Sequence, residues 1–188
     1  MSTSNEIDYG PIAGLIGTWK GEKGLDIAPG PKEEEISPYY ETLTFQAAGD
    51  VENAEEQVLT VLRYHHSVYR QSNNKQFHDQ VGYITWDANS QIVTNTFVIP
   101  RGVAVVAGGK VISSDDEAGE IVISVKAAED DQDWTLSQAP FMRDKAKTQS
   151  YSQTLTLKGD TLSYEQTMML DIYGRPFEHV DRAALHRV

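Results

Sequence analysis

The residues of this chain best placed to do chemistry are its five histidines, because the sequence contains no cysteine. His179 sits in the closing stretch Gly174-Arg-Pro-Phe-Glu-His179-Val-Asp181. A neutral imidazole there is a candidate metal ligand, with Asp181 or a backbone carbonyl available to orient the ring. His186 shares a face with Val180 rather than with His179 and reads as a surface residue. His65, His66 and His78 form a second group. Counting outward from the turn at Asn73-Asn74 makes His66 and His78 diagonal neighbours across a hairpin. His65 points to the opposite face. A three-histidine metal site needs three side chains on one face, so His66 and His78 read instead as a polar pair that hydrogen-bonds a ligand. His78 and Asp79 are adjacent in a strand, point apart, and form no dyad.

Arg101 lies between Pro100 and Gly102, where a turn can aim its guanidinium at a ligand carboxylate. Tyr64, Tyr83, Trp86, Phe97 and Phe177 are expected to supply apolar walls for a ligand. Met168 and Met169 read as core filler. No catalytic residue emerges: there is no G-x-S-x-G elbow, no glycine-rich phosphate loop and no paired-carboxylate arrangement.

These residues are carried by stretches that alternate apolar and polar side chains with a period of two. Strands are expected over 18–27, 39–47, 57–70, 76–86, 92–99, 103–112, 121–126, 151–157, 161–170 and 176–188. On the second of them Tyr39, Glu41, Leu43 and Phe45 share a face. Pro29-Gly30-Pro31, Asp87 to Ser90 and Lys158-Gly159-Asp160 supply turns. The one short helical candidate is Pro11 to Leu15. About ten strands at meander spacing, with no crossover helices, predict an all-β fold: an up-and-down antiparallel barrel with a short N-terminal helix plugging one end. A barrel of that strand number encloses a ligand cavity. The chain is expected to form a single domain over 1–188, with 1–10 as a flexible N-terminus.

The formal net charge of −12 argues against nucleic acid as a partner. Acidic runs at Lys32 to Glu35, Glu52 to Glu56, Asp115 to Glu120 and Glu129 to Asp133 read as solvated loops. They lack the spacing of a calcium loop. No apolar run is long enough to span a bilayer, and the polar start from Met1 to Tyr9 is unlike a secretory signal. A cytoplasmic protein without membrane insertion is the expectation; oligomeric state is not legible.

Gly17-Thr-Trp19-Lys-Gly21 reads as a Trp sealing the barrel floor between glycines. With Phe97-Val-Ile-Pro100-Arg-Gly102, Leu157-Lys-Gly-Asp160 through Tyr164-Glu165, and Gly174-Arg-Pro176 to His179 and Leu185, it resembles the nitrobindin family. The resemblance runs from about Ile12 to Val188, and His78 to Gly109 looks like a bacterial, nitrobindin-like branch. It implies a ten-stranded barrel, distantly similar to lipocalins and fatty-acid-binding proteins, with b-type haem held by a histidine of the last strand. Nitric oxide or peroxynitrite chemistry, including peroxynitrite isomerase-like activity, goes with that haem. Two departures stand out. Lys23 occupies the position of the family's third glycine, delayed here to Gly24. Ungapped matching of Gly174, Pro176 and Leu185 puts the haem histidine on Val180, one residue after His179, and a bulge near Pro176 would restore the register. The competing reading is a carrier or sensor of a fatty acid or other amphipathic metabolite without haem, anchored by Arg101, Arg63 or His78.

Overall fold

The computed structural model describes residues 7–113 and 119–188. The acidic stretch at 115–118 and the first six residues of the expected flexible N-terminus lie outside them. The strands are β1 (Gly17–Pro29), β2 (Glu34–Val51), β3 (Leu59–Arg70), β4 (Gln76–Asp87), β5 (Ile92–Ile99) and β6 (Val103–Ser113). They continue with β7 (Ile121–Ala128), β8 (Leu136–Gln138), β9 (Ala146–Lys158), β10 (Thr161–Ile172) and β11 (Arg175–Arg187). Neighbours pair antiparallel in the order β5-β4-β3-β2-β1-β11-β10-β9-β7-β6, and β5 pairs with β6, so ten strands close on themselves. Closure leaves none of the ten with a free edge along the whole barrel. The three-residue β8 pairs with β6 at Val103 to Val105, beyond where β7 pairs with it from Gly108 to Ser113.

Two elements exceed the expectation: β8 and a short helix α1 (Pro140–Lys145). Pro140 opens α1, where a missing N–H costs nothing. Gln138 bridges β8 to β9 by donating from Nε2 to the Thr148 carbonyl and accepting the Thr148 N–H at Oε1. α1 buries Met142.

The opposite end is sealed as the sequence predicts. A 3-10 helix (Gly10–Leu15) buries Ile12 and Leu15. Trp19 Nε1 donates to the Leu15 carbonyl at 2.7 Å. The Arg187 guanidinium lies over the Trp19 ring, 4.1 Å from its centre, and donates to the carbonyls of Gly14 and Ile16. This stacking and hydrogen bonding tie the last strand to the floor.

One irregularity decides which side chains enter the interior. Along β1, Gly21 pairs with Glu41 but Gly24 pairs with Tyr39, a bulge that leaves Glu22 and Lys23 both exposed. Trp19 and Gly21 before it, and Gly24 and Asp26 after it, are all buried. Strict alternation would turn position 26 outward; the extra residue brings Asp26 in. Gly24 is needed there, since a Cβ would come within 1.9 Å of the Tyr39 ring. The β10–β11 register runs without interruption from Ile172↔Arg175 to Thr161↔His186. No bulge forms near Pro176, and none is needed: Phe177 and Leu185 are buried, and alternation puts His179 on their face and Val180 on the other.

Candidate functional site

Above the packed floor the barrel opens into a cavity of about 750 Å³, within the usual range for small-molecule sites. Its upper walls are largely apolar, with Phe77, Ile99, Met142, Met168, Leu170 and Ile172 among them, and Arg70 and Arg101 stand beside them. Its lower wall is polar: Asp26 and Asp181 border it, Glu41 lies buried behind His66 and Tyr164, and each carboxylate is the end point of donated hydrogen bonds.

His179 Nε2 donates to Asp26 Oδ1 at 2.7 Å and lies 3.7 Å from Asp181 Oδ2. Burial pushes the His179 imidazole down, but the Asp26 hydrogen bond and the charges of Asp181 and Asp26 outweigh it, so its pKa is raised. Burial lifts the Asp181 carboxyl to about 6; His179 opposes the rise and Asp26 adds to it.

His66 Nε2 donates to Glu41 Oε2 at 2.5 Å, and the Tyr164 hydroxyl donates to the same oxygen at 2.7 Å. Tyr39 in turn donates to Tyr164 at 2.7 Å. Burial raises both tyrosine pKa values well above the ordinary range, so both remain neutral donors. His78 and His66 meet edge to face, ring centres 5.7 Å apart. Burial, then His66, lowers the His78 pKa to about 4, so this imidazole is neutral near pH 7.

The third arrangement is a relay around the barrel wall. His78 donates to Gln80, Gln80 to the Tyr64 hydroxyl, and Tyr64 to Asn95. Asn95 donates to Gln153, Gln153 to Gln166, and Gln166 to Asp181 at 2.9 Å. Each of these amides accepts one bond and passes one on, which is how a buried polar belt avoids unsatisfied atoms.

Of the residues singled out in the sequence, His179, His66, His78 and Arg101 all line the cavity. His65 points outward to Asp79, 3.0 Å away. Tyr64 is part of the polar belt rather than an apolar wall. Trp86 and Phe97 are buried in the packed core, Phe97 edge-on to Tyr151, so neither borders the cavity. Phe177 is buried without lining it. Tyr83 is a correction: it is 48% exposed on the outer face. It cannot share the inner face with Trp86, because the two stand three positions apart, an odd offset, on a regular stretch of strand. Arg63 also points outward, donating to Gln46 on the surface, so it anchors nothing inside.

The residues that sequence reading missed are polar ones at inward positions: Asp26, Gln80, Asn95, Gln153 and Gln166. Gln80, Asn95, Gln153 and Gln166 stand where alternation calls for an apolar residue, whereas Asp26 is brought inward by the β1 bulge. Gln153 lies between the buried Tyr151 and Leu155, and Asn95 between Val93 and Phe97. Asp181 was foreseen as the carboxylate beside His179, but the closer partner is Asp26.

The family described as "THAP4-like, heme-binding beta-barrel domain" matches residues 8–187. Among solved structures, that of Rv2717c from M. tuberculosis superposes with a TM-score of 0.73 at 20% identity, covering 96% of this chain and 99% of that one. At that identity the likeness is one of fold. Among curated proteins nothing matches. Among the described residues no helix is long and apolar enough to cross a membrane.

Proposed function

This chain belongs to the THAP4-like family of haem-binding β-barrel domains, and from that premise we propose that its cavity holds a b-type haem through His179. The observation that carries the reading is the inward face of His179 on an unbroken strand register, next to a carboxylate that can orient the ring. The other donors suit the same group. The apolar upper wall matches a flat macrocycle, and Arg70 and Arg101 supply cations for its propionates. Iron ligation takes a ring nitrogen, so the carboxylate partner must occupy the other; His179 has both, and Asp26 holds one.

When bound, haem supplies an iron open to a diatomic gas such as nitric oxide, or to peroxynitrite. The protein's part is to hold the imidazole, exclude water from the apolar wall and present Tyr164, His66 and His78 as hydrogen-bonding groups below. Asp26 and Asp181 in the lower wall make a neutral gas a better guest beside them than an anion. Arg70 and Arg101 would receive a fatty-acid carboxylate as readily as a haem propionate, so it is the family match that favours haem over that guest.

Reconstitution with hemin is expected to give a Soret band at one equivalent. His179→Ala is expected to abolish it while the circular dichroism of the barrel is unchanged. An unaltered hemin titration in that variant would remove His179 as the ligand.

A further inference from the structure

Asp26, His179 and Asp181 carry an arrangement that haem ligation alone does not require. Asp26 and Asp181 are direct cross-strand partners on β1 and β11, and His179 lies two residues from Asp181 on the same face. One ligand atom from each of the three lies within 4.8 Å of the other two. Asp26 is 3% exposed, and its carboxyl lies within hydrogen-bonding range of the Asp181 carboxyl, so two like groups are held against each other on one wall. No lysine or arginine among the described residues pairs with either carboxylate. Two carboxyl groups held together beside a single imidazole must either share a proton or recruit a cation.

We propose that Asp26, His179 and Asp181 form a binding site for a divalent transition-metal ion, Zn²⁺ or Mn²⁺, built on the ring nitrogen of His179 that faces Asp26. The inference shares His179 with the haem reading but does not depend on haem being bound. One nitrogen and two carboxylate oxygens on the wall of an open cavity give three protein ligands with further positions free, the pattern of an accessible rather than a closed metal site. Ligand atoms held tetrahedrally at 2.0–2.2 Å from zinc stand about 3.4 Å apart. The observed 2.7 Å from His179 Nε2 to Asp26 Oδ1 and 3.7 Å to Asp181 Oδ2 bracket that separation. Binding replaces the His179 Nε2 proton by the metal, and the proton leaves to solvent. The two carboxylates then face a cation rather than each other. Mixed nitrogen and oxygen donors favour zinc or manganese over calcium, which takes oxygen ligands alone.

The test is isothermal titration of the full-length, haem-free protein with ZnCl₂ and with MnCl₂, using MgCl₂ as a control. One saturable site per chain is expected, with proton release read from the change of the binding heat with the buffer's ionisation heat. Asp26→Asn and Asp181→Asn are each expected to weaken binding at least tenfold, and His179→Ala to abolish it. His65→Ala, which removes the surface His65–Asp79 pair, is expected to leave it unchanged. Binding that survives both Asp→Asn variants, or that is lost in His65→Ala, overturns the proposal. So does a wild-type protein that takes up neither ion. Circular dichroism of each variant establishes that it is folded, and Asp181→Asn should still take hemin with a normal Soret band. Zinc binding without any hemin binding would refute the haem reading and leave the cation site standing.

Discussion

Single side chains on the lower wall set how this protein responds to acid. His78 has a pKa near 4 in the folded state against 6.5 for an exposed histidine, because burial and the neighbouring His66 oppose its charge. Between those values the unfolded chain binds a proton that the folded chain refuses. The contribution of His78 is therefore fully present above pH 6.5 and is lost as the pH falls toward 4. A shift of this size corresponds to at most about 3 kcal/mol. Gln80, His66, His179 and Asp79 are the groups acting on it, and Gln80 is an uncharged acceptor. His78→Gln should flatten the stability profile between pH 6.5 and 4.5 in urea unfolding; parallel wild-type and variant curves would acquit His78. Glu41 is the other exposed dependency. It is 1% exposed and accepts from both His66 and Tyr164. Glu41→Leu leaves both donors buried and unpaired, and a loss of about 2–4 kcal/mol is expected in the same assay. Loss below about 1 kcal/mol would mean that water replaces the carboxylate.

At the scale of strands, the β1 bulge and the unbroken β11 together bring Asp26 and His179 face to face. Neither strand does so alone. Gly24 is the residue that permits the bulge to lie against Tyr39, so Gly24→Ala should displace the Tyr39 ring and its hydrogen bond to Tyr164. A cost of about 1–3 kcal/mol is expected from overpacking, with altered near-ultraviolet circular dichroism from the tyrosines as the specific sign; neutrality would show that the strand slides aside. The position of the strands was legible because period-two alternation survives in almost every one, and β5 (Ile92–Ile99) coincides with its expected span. The bulge was half legible. Lys23 in place of a glycine, with Gly24 one place late, marked an extra residue, but not the parity change it imposes on Asp26. β8 and α1 were not legible, since three residues show no alternation and six show no helical period. Tyr83 was assigned inward by its type, whereas the alternation that carries Trp86 inward turns it out.

The whole barrel divides into a dry floor, a polar belt and an apolar mouth, and that division could not be read from any one strand. Relay members such as Asn95, Gln153 and Gln166 come from β5, β9 and β10 and meet only when the sheet closes. Pattern analysis sees each as an isolated polar residue in an apolar run. The global property that the sequence does carry is charge. Acidic residues number 28 against 16 lysines and arginines. Among the described residues only Arg143–Asp144, Lys147–Glu129 and Arg187–Asp160 form ion pairs with a lysine or arginine, and such surface pairs contribute little. Repulsion among the remaining carboxylates therefore opposes the compact state. Raising NaCl from about 20 mM to about 500 mM shortens the screening length from about 20 Å to about 4 Å. Repulsion between distant loops falls away over that range, while hydrogen bonds inside the barrel are shielded from the salt. The Tm should therefore rise with NaCl, and the Gln153 belt and Trp19 floor should show no change in near-ultraviolet signal or hydrogen exchange. A Tm that falls with salt would mean that attractive pairs outweigh the excess of carboxylates.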